Sequence, residues 1–492
     1  MTLTNPIRRV AVIGAGPSGL AAVKYLREEK YFEQIDVFEQ RSSLGGAWNY
    51  TPSSSKSSVP TTVPHLNPHE PVEKPIWINQ SEGARKPIFV SPVYEKLETN
   101  IPKELMQYSD HAFPEDSQLF PEHETVKQYL EAYAEDTKSH IQFETQVNGV
   151  KLENEELSTW ALTATKLQTG TEATYIYDAV VVASGHFNVP YVPDIPGIEV
   201  WDKAYAGAVS HSKLYDSPEV FRERKVVVVG SSASGLDIAA QINEVSKEKV
   251  IVSQKSESYL AASAPSDKII RPQIVEFMSP KIHDRGLRFA DGHIEDKIDA
   301  VVFCTGYLYS FPFLSSLEPA VITDGWRTKN VYRQLFYINH PTLAFPVLSQ
   351  RVVPFVTAEN QAAVFSRVWS GRLHLPEQEH MKASENSEVT QKGDGKAFHV
   401  MPFPMDVDYL NLLHNWATSA KARPGLEESG RGKLGKHWGD RERWMRALFP
   451  EIRRAFVQIG EQRSKIKTLE ALGFDFETWK RDQEQNEGLA KS

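Results

Sequence analysis

Two glycine-rich segments constrain this 492-residue chain more than anything else in it: Gly14-Ala15-Gly16-Pro17-Ser18-Gly19 and Gly230-Ser231-Ser232-Ala233-Ser234-Gly235. Each runs from a strand pattern into a helix pattern, the arrangement that cradles a dinucleotide pyrophosphate on backbone N–H groups at a helix N-terminus. In the first unit Val10-Ala11-Val12-Ile13 reads as a buried strand and Leu20 to Leu26 as the helix. Gly14 permits the tight turn, Gly16 and Ser18 lie where the pyrophosphate approaches, and Gly19 lets helix pack on strand. Pro17 suits a first helical turn whose N–H has no partner. The next strand, Ile35 to Phe38, runs into Glu39-Gln40, the acid expected about 20 residues on to bind a ribose hydroxyl pair. Leu44-Gly45-Gly46-Ala47-Trp48 then lets backbone pass close to a flat ligand, with Trp48 beside Gly46. These features assign FAD to the first site.

The second unit repeats the design with a different ending. Val226 to Val229 leads into the loop, Leu236 to Ala240 follows it, and the next strand, Val250-Ile251-Val252, runs into Ser253-Gln254-Lys255. No carboxylate stands there to hold a 2′-hydroxyl, whereas Ser253 and Lys255 would welcome a 2′-phosphate. NADPH is therefore expected in preference to NADH.

Between the loops lies Tyr205-Ala206-Gly207-Ala208-Val209-Ser210-His211-Ser212-Lys213-Leu214-Tyr215. It resembles the fingerprint of the flavin-containing monooxygenases, with Tyr205 for the usual Phe and with Gly207, His211 and Tyr215 in place. Ala183-Ser184-Gly185-His186, Pro193 to Gly197, Phe303-Cys304-Thr305-Gly306-Tyr307, Glu359-Asn360-Gln361 and Ser370-Gly371 through Leu375-Pro376 resemble further family motifs. Motif order and resemblance imply an α/β fold of two Rossmann-like domains, the NADPH domain inserted into the FAD domain. The expected boundaries are 1–190 and 311–492 for FAD binding, the latter ending in a helical region, and 191–310 for the insertion.

The resemblance also implies roles. Thr99 and Asn100 look like the segment beside the flavin in which an Asn contacts the oxygenated cofactor; a neutral amide can hydrogen-bond a flavin C4a-hydroperoxide without supplying a free proton. Gln361 is expected near the cofactor, and His211 is read as fixing a hinge between domains rather than as a general base. The implied chemistry is flavin reduction by NADPH, addition of O2, and oxygen transfer to a small soft nucleophile at nitrogen or sulfur. Baeyer-Villiger oxygenation or oxidative decarboxylation is the alternative within this fold; a basic residue against the peroxide would mark it, and none can be located from sequence. An alternative of another class is a flavin-binding protein that does not turn over.

Composition agrees. With 40% apolar residues the chain can build ample cores, and a net charge of −9 gives no basic face for nucleic acid. The single cysteine excludes the redox pair of a flavin disulfide reductase, fits a cytoplasmic location, and leaves Cys304 as a small core residue. No apolar run approaches the ~18 residues of a membrane helix, so no membrane insertion is expected. Thr51 to Val63 and Glu377 to Lys396 read as polar excursions without chemistry. Ile452, Ala455, Phe456 and Ile459 recur at helical spacing near Trp438, Trp444 and Phe449, a core stripe or a candidate homodimer contact.

Overall fold

The computed structural model describes residues 5–79, 85–155, 158–256 and 268–490, the last four without side-chain detail. Its larger sheet has seven strands, in the order Val331–Tyr332, Phe336–Tyr337, Leu343–Ala344, Ala179–Val182, Arg9–Ile13, Gln34–Phe38 and Ile141–Gln142. The last five run parallel, with Val10 opposite both Ile35 and Ala179. Strands from positions 9–182 and 331–344 thus share one sheet. The second sheet has five parallel strands, Val209–His211, Ala300–Phe303, Val226–Val229, Ile251–Ser253 and Ile269–Arg271, all drawn from one continuous span. Where the chain leaves the first sheet and returns to it, Val189–Pro190 pairs antiparallel with Tyr307–Leu308.

The unbroken Val226-Val227-Val228-Val229 run is explained by burial on both faces, as parallel sheets require. Val226 and Val228 pack with Ile238, Ile242 and Cys304, while Val227 packs with Ile251, Val301 and Phe303 on the other side. In the first sheet Val10, Val12 and Val37 face the helix Pro17–Glu28 and the long helix Pro354–Trp369. Ala11, Ile13 and Val180 face an antiparallel meander, Thr145–Asn154, Thr159–Lys166 and Thr171–Tyr177.

Two segments read as inert excursions are built into the fold. Ser53–Lys56 forms a helical turn in which Lys56, only 2% exposed, donates to the carbonyls of Val93 (2.7 Å) and Tyr215 (2.8 Å) and lies 3.5 Å from Asp216. Gln378–Lys392 is a helix whose Glu385 is buried against Arg327 at 2.8 Å. Polar composition concealed both, because a buried charge answers to a partner far along the chain. The C-terminal stripe divides: Ile452 and Phe456 are buried in the helix Phe449–Gln458, whereas Ile459 at its end is 44% exposed. No helix among the described residues is long and apolar enough to cross a membrane.

Candidate functional site

The two glycine loops have nearly the same backbone. Gly16 caps its helix at φ −78° and ψ −178°, and Ser232 caps Ala233–Asn243 at −81° and −176°. Gly14 (φ +101°) and Gly230 (φ +114°) occupy the left-handed region that the turn demands, and a Cβ there would stand 2.7 Å from the Ala183 carbonyl oxygen or 2.6 Å from that of Cys304. A Cβ on Gly19 would stand 1.9 Å from the Gly14 oxygen, and one on Gly235 2.1 Å from the Gly230 oxygen. Ala183 and Cys304 are counterparts, one under each loop. Burial pushes the Cys304 thiol up to about 12, so it acts as a small apolar filler.

Around the first loop the residues fit an FAD cradle. The Gly45 N–H donates to the Ala15 carbonyl at 2.8 Å, and a Cβ on Gly46 would meet Gly16 Cα at 2.9 Å, so two glycine backbones meet where a pyrophosphate would lie. Pro17 and Ser18 open the helix. Glu39, 4% exposed, accepts the Ala15 N–H and the Arg41 N–H, each at 2.8 Å. Burial raises its carboxyl above the ordinary range, and each oxygen keeps a lone pair for a ribose hydroxyl. Gln40 accepts from Gln146 at 2.9 Å. Trp48 is half-buried, edge-on to Phe355 at 6.4 Å in the first turn of Pro354–Trp369.

At the second loop Ser232 and Ser234 are exposed, Ser231 and Ala233 half-buried, and Lys255 exposed just beyond the strand Ile251–Ser253. Ser253 departs from expectation. Its hydroxyl donates to the Pro272 carbonyl at 3.1 Å and accepts the Ile274 N–H at 3.2 Å while 1% exposed, so it ties strands together rather than facing a phosphate. Gln361 is a second correction. Fully buried, it accepts the Val347 N–H at 2.7 Å and donates to the Tyr409 hydroxyl and the Gln334 carbonyl at 2.9 and 3.3 Å, so it shapes the loop after Leu343–Ala344 from within. A helix face read without its partners cannot distinguish a ligand contact from such a loop brace.

The fingerprint residues knit the second sheet to the crossover. His211 donates from Nε2 to the Gly306 carbonyl (3.0 Å) and accepts the Lys213 N–H at Nδ1 (3.1 Å); burial holds its pKa down to about 3, so the ring stays neutral. Gly207 sits at φ +80°. The Tyr205 hydroxyl accepts the Arg285 N–H at 3.3 Å, and that of Tyr215 donates to Gln241 at 3.0 Å. Gln241 in turn donates to Asp237 at 3.0 Å, and Asp237 also accepts from Tyr94. The segment carrying Asn100 is thus tethered to the helix of the second loop at Tyr94. Glu98 ties it to the C-terminal region through Arg453 (3.1 Å) and Arg463 (2.9 Å). Sequence reading missed this tether, since no spacing signal links positions this far apart.

Thr99 is buried, its hydroxyl donating to the Ile101 carbonyl at 2.9 Å. Asn100 is exposed at a cavity of about 50 Å³ shared with Ile101, Arg351, Val352 and Val353. The following helical turn, Lys103–Met106, has Pro102 at its N-cap and no side-chain cap, so Asn100 is not spent on that turn. The cavity therefore joins Asn100 to the N-terminus of Pro354–Trp369, where backbone N–H groups favour negative charge.

Within that helix Glu359 is fully buried, accepting the Ser109 N–H (3.0 Å) and hydroxyl (2.8 Å) and the Tyr25 hydroxyl (3.2 Å). Burial pushes its carboxyl from 4.5 up to about 7. A carboxyl that binds its proton more tightly folded than unfolded loses stability as pH rises between those values, here on the order of 3 kcal/mol. Glu359→Gln, which mimics the protonated form, is expected to melt higher than the wild type by a margin that grows from pH 5 to pH 8. Thermal melts across that range test it, and a constant margin would refute it.

Two dinucleotide cradles, one on each sheet, with a small cavity presenting Asn100, define a flavin- and nicotinamide-dependent oxidoreductase. The family comparison makes this specific. A model described as flavin-binding monooxygenase-like matches residues 81–268 and 267–428, and one for an NAD(P)-binding Rossmann-like domain matches 12–67. The chain belongs to the flavin-binding monooxygenase-like family. It is 29% identical to the flavin-containing monooxygenase iboF of Amanita muscaria over 86% of this chain and 90% of that protein. It is 31% identical to the thiol-specific monooxygenase of Saccharomyces cerevisiae over 86% of this chain and 88% of that one. The solved S-allyl-L-cysteine S-oxygenase of Allium sativum superposes with a TM-score of 0.72 at 28% identity, covering 93% of this chain and 94% of that one. The expected family and two-domain α/β fold are borne out, the protein is a monooxygenase that uses FAD and NADP(H), and the non-catalytic alternative falls away.

Proposed function

We propose that this enzyme uses NADPH, FAD and O2 to oxygenate a soft nucleophile, nitrogen or sulfur, of a small organic molecule, with sulfur the favoured atom. The carrying observation is Asn100, presented at a cavity that borders the N-terminus of Pro354–Trp369 and tethered through Tyr94 to the second glycine loop's helix. Two relatives named for sulfur chemistry, the thiol-specific monooxygenase and the S-allyl-L-cysteine S-oxygenase, support the choice of atom. A flavin bound in the first cradle would supply the oxygen-transfer chemistry.

The chain's own groups bind, orient and exclude water. The first loop and Glu39 hold the FAD pyrophosphate and ribose, and the second loop with Lys255 holds the NADPH phosphates. Asn100 offers an amide hydrogen bond where an acid would release a proton and hasten loss of hydrogen peroxide. On this reading residues 1–190 and 311–492 serve the flavin and 191–310 the nicotinamide cofactor.

Stopped-flow spectroscopy tests the proposal. Holoenzyme reduced anaerobically with NADPH and then mixed with O2 is expected to show an oxygenated-flavin band lasting seconds, and thioethers added to it should yield sulfoxides. Immediate return of oxidised flavin with stoichiometric peroxide, with or without a thioether, would sink the reading. In Asn100→Asp, flavin reduction should keep its rate while the peroxide leaked per NADPH rises several-fold.

A further inference from the structure

Residues 94–100 begin in the core of one sheet and end beside the other. Tyr94 is buried with Val226, Val228, Ile238 and Ile242 in the core of the second sheet, and Leu97 lies against the same cluster. Both come from the stretch of chain that precedes that sheet's first strand in sequence, Val209–His211. From Leu97 onward the segment joins the first sheet's side. The His123 N–H donates to the Leu97 carbonyl at 3.1 Å and the Thr99 N–H to the Pro121 carbonyl at 2.9 Å, so Glu98 pairs antiparallel with Glu122 at the start of the helix His123–Tyr133. That helix buries Val126, Tyr129 and Leu130 in the core beneath the first loop. Asn100 follows at once, on its small cavity. The Glu95 N–H donates to the Asp216 carbonyl at 3.1 Å, so the backbone from Tyr94 to Asn100 is pinned along its length and has little slack.

The Tyr94 end of this segment is fastened by its hydroxyl, which donates to Asp237 in the second turn of Ala233–Asn243. Asp237 also accepts the Gln241 amide at 3.0 Å, and Gln241 accepts from Tyr215, whose ring meets that of Tyr94 edge-on at 5.2 Å. Burial raises the Asp237 carboxyl above its ordinary range, and Arg453 and the Tyr94 hydrogen bond pull it back. A hydroxyl donating to a carboxylate away from water is a strong bond, and losing either partner leaves the other short of one. The N-terminus of the same helix is the second glycine loop, and it has no side-chain cap, which leaves its first N–H groups to an anion. One helix therefore carries a dinucleotide cradle at its end and the anchor of Tyr94 in its next turn.

We propose that Tyr94 and Asp237 are a positioning pair: the hydrogen bond between them fixes Asn100 relative to the helix of the second glycine loop, so that a dinucleotide seated on that helix also holds Asn100 at its cavity. Both residues act through Asn100 and neither has chemistry of its own in the reaction. The proposal rests on the oxygenation reading above for the role of Asn100. It adds a coupling that is reciprocal by linkage: NADP⁺ binding orders residues 94–100, and their order favours NADP⁺ binding.

The test uses FAD-loaded enzyme as wild type, Y94F, D237A and D237N. Y94F removes only the hydroxyl and keeps the ring in its core; D237A removes the acceptor and leaves Tyr94 intact; D237N keeps a carbonyl oxygen to accept the hydroxyl. Hydrogen exchange is followed by mass spectrometry with and without saturating NADP⁺. In wild type and D237N, NADP⁺ is expected to slow exchange in peptides covering 230–243 and 94–101, whereas in Y94F and D237A only the first should be slowed. Hydrogen peroxide leaked per NADPH, with a thioether present, is the second readout. Y94F should raise it about fivefold, the worth of one hydrogen bond, and D237N should stay within about twofold of wild type. In an Asn100→Asp background Y94F should add no further leak, because both changes act on the same side chain. No NADP⁺ effect at 94–101 in wild type, the full effect retained in Y94F and D237A, or an undiminished further leak on top of Asn100→Asp would overturn the proposal. Loss of the effect in D237N as well would assign the link to the charge of Asp237 and overturn the hydrogen bond as its carrier. Wild type that turns NADPH wholly into peroxide while showing the expected exchange pattern would refute the oxygenation reading and keep the pair. Sulfoxidation by wild type with no NADP⁺ effect at 94–101 would keep that reading and refute the pair.

Discussion

Gly19→Ala is expected to give little soluble protein and no bound flavin. The added Cβ would lie 1.9 Å from the carbonyl oxygen of Gly14 and 3.0 Å from its carbonyl carbon, and both are backbone atoms that no rotamer change can move. Relief requires the helix Pro17–Glu28 to shift away from the strand Arg9–Ile13, which would pull Leu20, Ala21 and Val23 out of the largest core. Overpacking of a well-filled core costs about 1–3 kcal/mol and more when backbone must move. That is a large share of the roughly 5–15 kcal/mol that a folded protein has to lose. Soluble yield and the ratio of flavin to protein absorbance measure the effect; a soluble, fully yellow variant would show that the first loop has been misread. Gly16 differs in kind. A Cβ there would meet only the Gly46 backbone, Cα at 3.4 Å and N at 3.8 Å, so its missing side chain answers to the ligand rather than to the fold.

Gly235→Ala makes the same clash in the second loop, 2.1 Å from the Gly230 oxygen, with a different consequence. The second sheet is drawn from one continuous span, and the flavin cradle shares no strand with it. The variant should therefore stay yellow and be reduced fully by dithionite, while NADPH reduces it at least about 100-fold less efficiently, the loss expected when a bound reactant is misplaced by an ångström. Anaerobic reduction followed at the flavin absorbance band decides it. Wild-type reduction by NADPH would separate the second loop from nicotinamide binding, and loss of flavin as well would show that the two cradles do not stand apart.

Much of this was legible before any coordinates. A pyrophosphate turn needs glycine at particular positions for steric reasons, so Gly14, Gly19, Gly230 and Gly235 could be read as structural requirements, and the Val226 to Val229 run as the strand that feeds the second loop. The motifs Ala183 to His186 and Phe303 to Tyr307 were equally legible, and Val189–Pro190 pairs with Tyr307–Leu308 beside them. Ser253 and Gln361 were misread for one reason: a polar side chain shows its chemistry in sequence but not its direction, and both point into the protein.

By itself, then, the sequence determined what local backbone geometry dictates: two helix-capped phosphate turns, the strands feeding them, and the neutral amide of Asn100 in a segment between them. Tertiary structure alone decided which distant groups meet. It buried Lys56 in a segment that reads as surface, tethered Tyr94 to Asp237 across the two sheets, raised Glu359 toward neutrality within a helix, and set Arg351 on the cavity of Asn100. A turn is specified by sterics among neighbours a few residues apart, whereas burial, charge and cavity lining arise from contacts between residues hundreds of positions apart, which only the folded packing brings together.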